Sequence, residues 1–396
     1  MTKHPLCSVV LGAAFALLAG CGNDSTSNQN KDVQSSDATT TDTAAAADAN
    51  APGVDAAPFK VCTADNRAEC LYKSPANYAI TSQRIDGLKY KDILGADRNV
   101  NIAVYQPKNA PKPMPVVLLS HGGADGKVDP MKSMDDWAPV FAKAGYLAVA
   151  IAHEGREKPN YDAVCAALKT AEPCGIKISW DRPHDVDRVL QWLAEAAASG
   201  PLAGAIDLDH IAHVGHSAGA GAAMMSAGAP RNFKCALPFT YTKVGQNCQL
   251  ADLVSLAKPE IDAIIALSPQ GPGSEGFMNE SFPAIAKPML LGTGADDGDP
   301  GEPANRVAIF PLLKAGDKFK LWVEDPGAKH TLFEGTTQAC VPISGEKKCN
   351  AMRDGIFATG LAFMDAYLRG DAQAKAWLGS DNIVTGGQGV FAFERK

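Results

Sequence analysis

Gly215-His216-Ser217-Ala218-Gly219 lies between an apolar run and an Ala- and Gly-rich segment. That is the composition of a sharp strand-to-helix turn that presents a serine hydroxyl. Small residues on both sides let strand and helix approach closely, and the helix N-terminus points at charge developing on a reacting carbonyl. Ser217 is therefore the expected nucleophile, the alternative being a plain Gly-rich helix start. His216 is adjacent, but neighbours on such a turn point in different directions, so it is expected to pack beneath the turn. His210 and His213 flank the same strand and have no better claim as a base.

A serine nucleophile of this kind needs an acid and a base following it in the order Ser, Asp or Glu, His. His330 is the only histidine after Ser217 and lies in a loop, Gly327-Ala328-Lys329-His330-Thr331-Leu332-Phe333, ahead of the final helical segment. It would take the Ser217 proton as general base and return it to the leaving group. The strand expected over 288–292 runs into Thr293-Gly294-Ala295-Asp296-Asp297-Gly298-Asp299-Pro300, where Asp296 and Asp297 are both placed to orient the imidazole. The spare carboxylates there would be solvated or, alternatively, calcium ligands. Upstream, Ser120-His121-Gly122-Gly123 is a Gly-rich loop after a strand, suited to turning backbone N–H groups towards a substrate carbonyl. Gly123 is the favoured donor, with Gly122 or Ala124 as alternatives, and the N–H of Ala218 supplies the other half. His121 is expected to orient this loop. No metal and no organic cofactor is implied.

The elements that must hold these groups are legible in the hydrophobic pattern. Residues 78–90 and 100–105 alternate polar and apolar, as antiparallel strands with one exposed face do. Short apolar runs at 115–120, 146–152, 211–214, 261–267, 288–292 and 319–323 read as buried strands. Between them fall helical segments at 136–144, 185–198, from 218, at 305–315 and at 352–368. Strands alternating with helices predict an α/β fold with a mostly parallel central sheet and helices on both faces. With 396 residues and no second linker, one large domain over 58–396 fits better than two. The stretch 230–259 interrupts the region after the nucleophile helix. It is read either as a cap or cleft insertion presenting Phe233, Phe239, Tyr241 and Leu250, or as a surface subdomain packed on itself. Trp180 and the loop between Cys165 and Cys174 are second candidates for a cleft wall.

A net charge of -7 with no basic run excludes nucleic acid as a partner. At the N-terminus, Lys3 and His4 precede an apolar stretch too short to span a bilayer comfortably, ending in Leu18-Ala19-Gly20-Cys21. This has the parts of a secretory signal over 1–20. Residues 21–57 are almost free of large apolar side chains and are expected to form a flexible tether. Of ten cysteines, Cys7 leaves with the signal and Cys21 stands directly after it, so eight others remain. They fall in close pairs: Cys62 and Cys70, Cys165 and Cys174, Cys235 and Cys248, Cys340 and Cys349. An even number outside the cytosol reads as disulfides, with local pairing taken from proximity. No pair has the C-x-x-C spacing that a zinc site would favour.

Two resemblances follow. Residues 18–21 resemble the lipobox of bacterial lipoproteins, in which the cysteine becomes the lipid-modified first residue. This implies a membrane anchor at Cys21, and Gly22 after it implies the outer membrane. The set His121-Gly122-Gly123, Gly215 to Gly219, an acid after 292 and His330 resembles the α/β-hydrolase superfamily. Arg182-Pro183-x-Asp185 and Ala266-Leu267-Ser268-Pro269 sharpen the match. They resemble the bacterial predicted dienelactone hydrolases related to platelet-activating-factor acetylhydrolase, over roughly 78–370. In that light Asp296, four residues before Pro300, matches the usual spacing of the acid and is preferred to Asp297. Dienelactone hydrolases use a Cys nucleophile where this chain has Ser217, and the acetylhydrolases usually carry an aromatic where it has Ala218. The resemblance thus implies hydrolysis of small-molecule or lipid carboxylic esters through an acyl-enzyme. A peptidase or acyltransferase on the same residues, or a non-catalytic surface binding lipoprotein, are the rivals.

Overall fold

Runs of Val, Ile, Leu and Ala without charge can bury both faces only inside a sheet covered on both sides, and such runs form the inner strands here. The structure, a computed structural model, describes residues 61–63, 65–123, 128–156, 158–169, 179–234, 249–298 and 302–396. The signal, Cys21, the tether, Ala124, Cys174, Cys235, Phe239, Tyr241 and Cys248 lie outside the described residues.

Among the described residues, eleven strands occur in chain order. They are β1 (Ile80–Lys91), β2 (Asp97–Pro107), β3 (Met114–Ser120), β4 (Leu147–Ala152), β5 (Ile206–His216), β6 (Arg231–Asn232), β7 (Leu253–Val254), β8 (Ile261–Leu267), β9 (Met289–Gly294), β10 (Lys318–Val323) and β11 (Phe391–Arg395). Nine build one mixed sheet in the order β1-β2-β4-β3-β5-β8-β9-β10-β11, and β6 pairs with β7 separately. The pairs from β4 through β10 are parallel; β1, β2 and β11 run antiparallel to their neighbours. The largely exposed β1 and the five-residue β11 form the edges. From β3 the chain crosses to β4 on one side, and from β5 it moves to β8 on the other. A crevice opens at such a reversal, beyond the carboxyl ends of the strands. The loop after Ser120 and the turn at Ser217 meet there.

The ten helices among the described residues are α1 (Ala138–Lys143), α2 (Lys158–Leu168), α3 (Asp181–Ala198), α4 (Ala218–Ser226), α5 (Pro303–Val307), α6 (Ile309–Leu312), α7 (Val341–Ser344), α8 (Glu346–Leu368), α9 (Ala372–Leu378) and α10 (Asn382–Gly387). Strand side chains alternate between faces, so the sheet separates two cores. One packs Val116, Leu118, Val149 and Ile264 against Val186 and Val189 of α3 and Met224 of α4. The other packs Val117, Leu119, Ile265 and Leu321 against Phe141 of α1, Phe363 of α8 and Trp377 of α9.

Several expectations shift in detail. Helix α3 starts at Asp181, so Arg182 and Asp185 are buried within its first turns. The helix expected over 305–315 is broken after α5. Pro311 in α6 has no N–H to return to the preceding turn. Helix α8 begins six residues before the expected 352, following Gly345 at φ 79°. The Phe-Ala-Phe alternation of β11 was not read as a strand. Cys62–Cys70 and Cys340–Cys349 are disulfides, as the spacing predicts. Cys165 is also disulfide-bonded.

Candidate active site

Ser217 sits between β5 and α4 at φ 53°, ψ −119°, a strained conformation for a residue with a side chain. Two contacts force the turn to be built from glycine. A Cβ on Gly215 would lie 2.0 Å from the Gly219 carbonyl oxygen, and one on Gly219 would lie 2.0 Å from that of Ser120. The Ser217 N–H donates to the Leu267 carbonyl at 2.9 Å, which ties the turn to β8. Ala218 is the first residue of α4, so its N–H has no partner within the helix.

The acid beside His330 is Asp297, not Asp296. Asp297 Oδ1 lies 2.7 Å from His330 Nδ1, and the carboxylate is fully buried. Asp296, the residue preferred from the sequence, turns outward: its side chain is 44 % exposed and pairs with Lys329. The backbone explains the difference. Asp296 pairs with Lys329 in an isolated parallel bridge, and the next residue, Asp297, is directed to the buried side. Asp297 is further held by the Thr293 hydroxyl, which donates to its Oδ2 at 2.7 Å. Arg306, in α5, donates from Nε to the Asp297 carbonyl at 3.0 Å and from Nη1 to the carbonyls of Ser268 and Pro269 at 2.6 and 2.8 Å. Its Nε is 3.3 Å from Asp297 Oδ1.

A carboxylate at Nδ1 requires the proton there, which leaves His330 Nε2 with a lone pair for the serine side. His216 is buried beneath the turn, as expected. Its Nε2 donates to the His330 carbonyl at 3.0 Å, and its ring lies 4.5 Å from the His330 ring. Ser217 Oγ and His330 are not hydrogen-bonded to each other; such bonds commonly tighten only with substrate bound.

The loop after β3 is fixed through its carbonyls. Arg182, fully buried, donates to the carbonyls of His121 and Gly122, the latter at 2.6 Å. His121 Nδ1 also donates to the Gly122 carbonyl at 2.8 Å, and its Nε2 accepts the His153 N–H at 3.0 Å. Two donors on the Gly122 oxygen fix the plane of that peptide. The N–H at its other end, that of Gly123, points the opposite way because the peptide is planar and trans. Gly122 itself adjoins Ser217: a Cβ built there would be 3.5 Å from Ser217 Cβ.

Behind this loop is a sealed polar network that sequence inspection missed. Ser120 Oγ lies 2.8 Å from both His153 Nε2 and His213 Nε2. His153 Nδ1 is 2.9 Å from Asp185 Oδ2, and Arg98 grips Asp185 through Nε and Nη2 at 2.7 and 2.8 Å. Ser120, His153 and Asp185 have the residue types of a catalytic triad, yet all are fully buried, so no substrate reaches them. Burial holds His153 well below the usual histidine range, with Arg182 adding to it. Burial also pushes His213 down to about 3. The Ser226 hydroxyl donates to the Ala222 carbonyl, so neutral His213 donates from Nδ1 to Ser226 Oγ and turns its Nε2 lone pair to Ser120, while His153 donates from Nδ1 to Asp185. His121 and His216 are likewise held well below the usual range, chiefly by burial.

The expected cleft residues divide. Phe233 is buried in the core and meets Trp180 edge-on at 4.9 Å, while Leu250 is 54 % exposed. Trp180 borders a cavity of about 250 Å³ with Tyr90, Ile93, Asp181 and His184. No protein-family model and no curated protein matches the chain. Arg306 left no signal in the sequence, because an Arg in a helical segment reads as solvent-facing. Arg182 and Asp185 were singled out only by resemblance.

Proposed function

We propose that this chain is a serine hydrolase that cleaves carboxylic esters through an acyl-enzyme on Ser217. The observation that carries it is the strained Ser217 at the start of α4, next in the chain to His216, whose ring lies 4.5 Å from that of His330, itself 2.7 Å from Asp297. The α/β-hydrolase resemblance of the motifs agrees with the mostly parallel sheet.

Ser217 Oγ attacks the ester carbonyl while His330 Nε2 accepts its proton. Asp297 stabilises the imidazolium and keeps its tautomer. The carbonyl oxygen becomes an oxyanion between the N–H groups of Gly123 and Ala218, which are oriented before substrate arrives. Collapse expels the alkoxide, which takes the proton from His330 and leaves as the alcohol. Water, deprotonated by His330, then adds to the acyl-enzyme. The second collapse releases the carboxylic acid and returns the proton to Ser217.

Hydrolysis of p-nitrophenyl esters from acetate to palmitate, by the full chain and by Ser217→Ala, tests this. The mutant should lose at least about a thousandfold in kcat. A folded wild type that hydrolyses none of these esters would remove the proposal. The anchor at Cys21 belongs to the same picture of an envelope enzyme. It is supported by residues 18–21 and by disulfides that persist in oxidising compartments. Intact-mass measurement of membrane-extracted protein should show a lipid at Cys21.

A further inference from the structure

Glu334 is an ionisable group at the reacting centre that ester hydrolysis, as described, does not use. It lies four residues beyond His330, and its side chain is 34 % exposed. Its Oε2 is 3.8 Å from His216 Nδ1, a buried atom without a hydrogen-bond partner among the described residues. Burial pushes its carboxyl above the usual range, while His330 and the Gly122 N–H act in the opposite direction. Gly122 is in turn against both Ser217 and His216, since a Cβ built there would be 3.5 Å from Ser217 Cβ and 3.1 Å from His216 Nδ1. The carboxylate therefore borders His216 and Gly122, each of which adjoins Ser217, beside the loop after β3.

Burial keeps His216 neutral, and no Lys or Arg pairs with Glu334 among the described residues. The nearby cations are committed elsewhere: Arg306 to Asp297, Lys132 to Asp135, Lys329 to Asp296 and Arg353 to Asp354. Asp135 and Asp136 add field of the same sign. An anion brought to the carbonyl site meets net repulsion from these carboxylates, attenuated by solvent because Glu334 is partly exposed.

We propose that Glu334 sets the charge selectivity of the site, admitting neutral and cationic esters and rejecting esters that carry an anionic group near the scissile carbonyl. The inference rests on ester hydrolysis at Ser217. The same charge favours product release, because hydrolysis turns a neutral acyl group into a carboxylate beside Glu334.

The test compares kcat/KM of the full chain for p-nitrophenyl butyrate, p-nitrophenyl hemisuccinate and p-nitrophenyl 4-(trimethylammonio)butyrate at pH 8, in wild type, Glu334→Gln and Glu334→Lys. Glutamine keeps an oxygen for the Gly122 N–H and removes only the charge, so a general loss of packing would lower all three rates together. The expected result is that the hemisuccinate-to-butyrate ratio rises at least about fivefold in Glu334→Gln, the effect of removing one partly solvated unit charge. It should rise further in Glu334→Lys, while the trimethylammonio-to-butyrate ratio falls. Unchanged ratios with butyrate still hydrolysed overturn this inference alone. No hydrolysis of any of the three by folded wild type overturns ester hydrolysis and the inference together.

Discussion

His330 Nδ1 and Asp297 Oδ1 lie 2.7 Å apart, while the neighbouring Asp296 pairs with Lys329 on the outside of the same turn. Two adjacent carboxylates thus have opposite environments, one sealed and bonded to an imidazole, the other exposed in a surface ion pair.

Asp297→Asn should therefore lower kcat on p-nitrophenyl acetate by about 10³- to 10⁴-fold, because an amide no longer fixes the tautomer or stabilises the imidazolium. Asp296→Asn should change it by less than about threefold, as an exposed ion pair contributes little. Steady-state kinetics of the two proteins decide the assignment; the reverse pattern would restore Asp296.

Arg306 gathers the Asp297 carbonyl and two carbonyls of the loop after β8 in one buried guanidinium. Lysine cannot reproduce that fork. Arg306→Lys should cost about 3 kcal/mol in urea denaturation, because buried acceptors and a buried carboxylate lose their partner. It should also lower kcat about a hundredfold through misplacement of the acid. A variant within about 1 kcal/mol of wild type would show that Arg306 is dispensable.

Gly219→Ala tests the contact between the Ser217 turn and the loop after β3. Its Cβ would meet the Ser120 carbonyl at 2.0 Å, so strand and helix must separate. A shift of about 1 Å in the reacting groups corresponds to about a hundredfold loss of kcat. Gly379→Ala, where the nearest atom is 3.4 Å from the new Cβ, should leave activity at wild-type level. Equal effects in the two variants would remove the steric explanation.

The buried histidines predict acid sensitivity. His213 is held down to about 3, whereas in the unfolded chain it titrates near about 6.5. Below the higher value the unfolded state binds a proton that the folded state refuses. The contribution of neutral His213 is therefore complete above pH about 6.5 and is lost as pH falls towards 3, at about 1.4 kcal/mol per pH unit. From pH 7.5 to 5.0 this ring alone accounts for about 2 kcal/mol. Urea denaturation at both pH values should show a smaller pH-dependent loss in His213→Gln than in wild type. Identical losses would mean that the ring is protonated in the folded protein.

The sequence by itself determined the alternation of strands and helices, the Gly-x-Ser-x-Gly turn and the single late histidine. Each rests on local chemistry: side-chain periodicity, glycines where atoms crowd, and chain order. The two described disulfides were legible for the same reason, since their cysteines are close along the chain. Only the tertiary structure decided between Asp296 and Asp297, because one residue of shift at a strand end moves a carboxylate from the outer side to the inner. Arg306, Glu334 and the Ser120–His153–Asp185 network were also decided there. Their partners are distant in sequence, and it is burial that turns a charged or polar side chain from a solvated group into one that must find a partner.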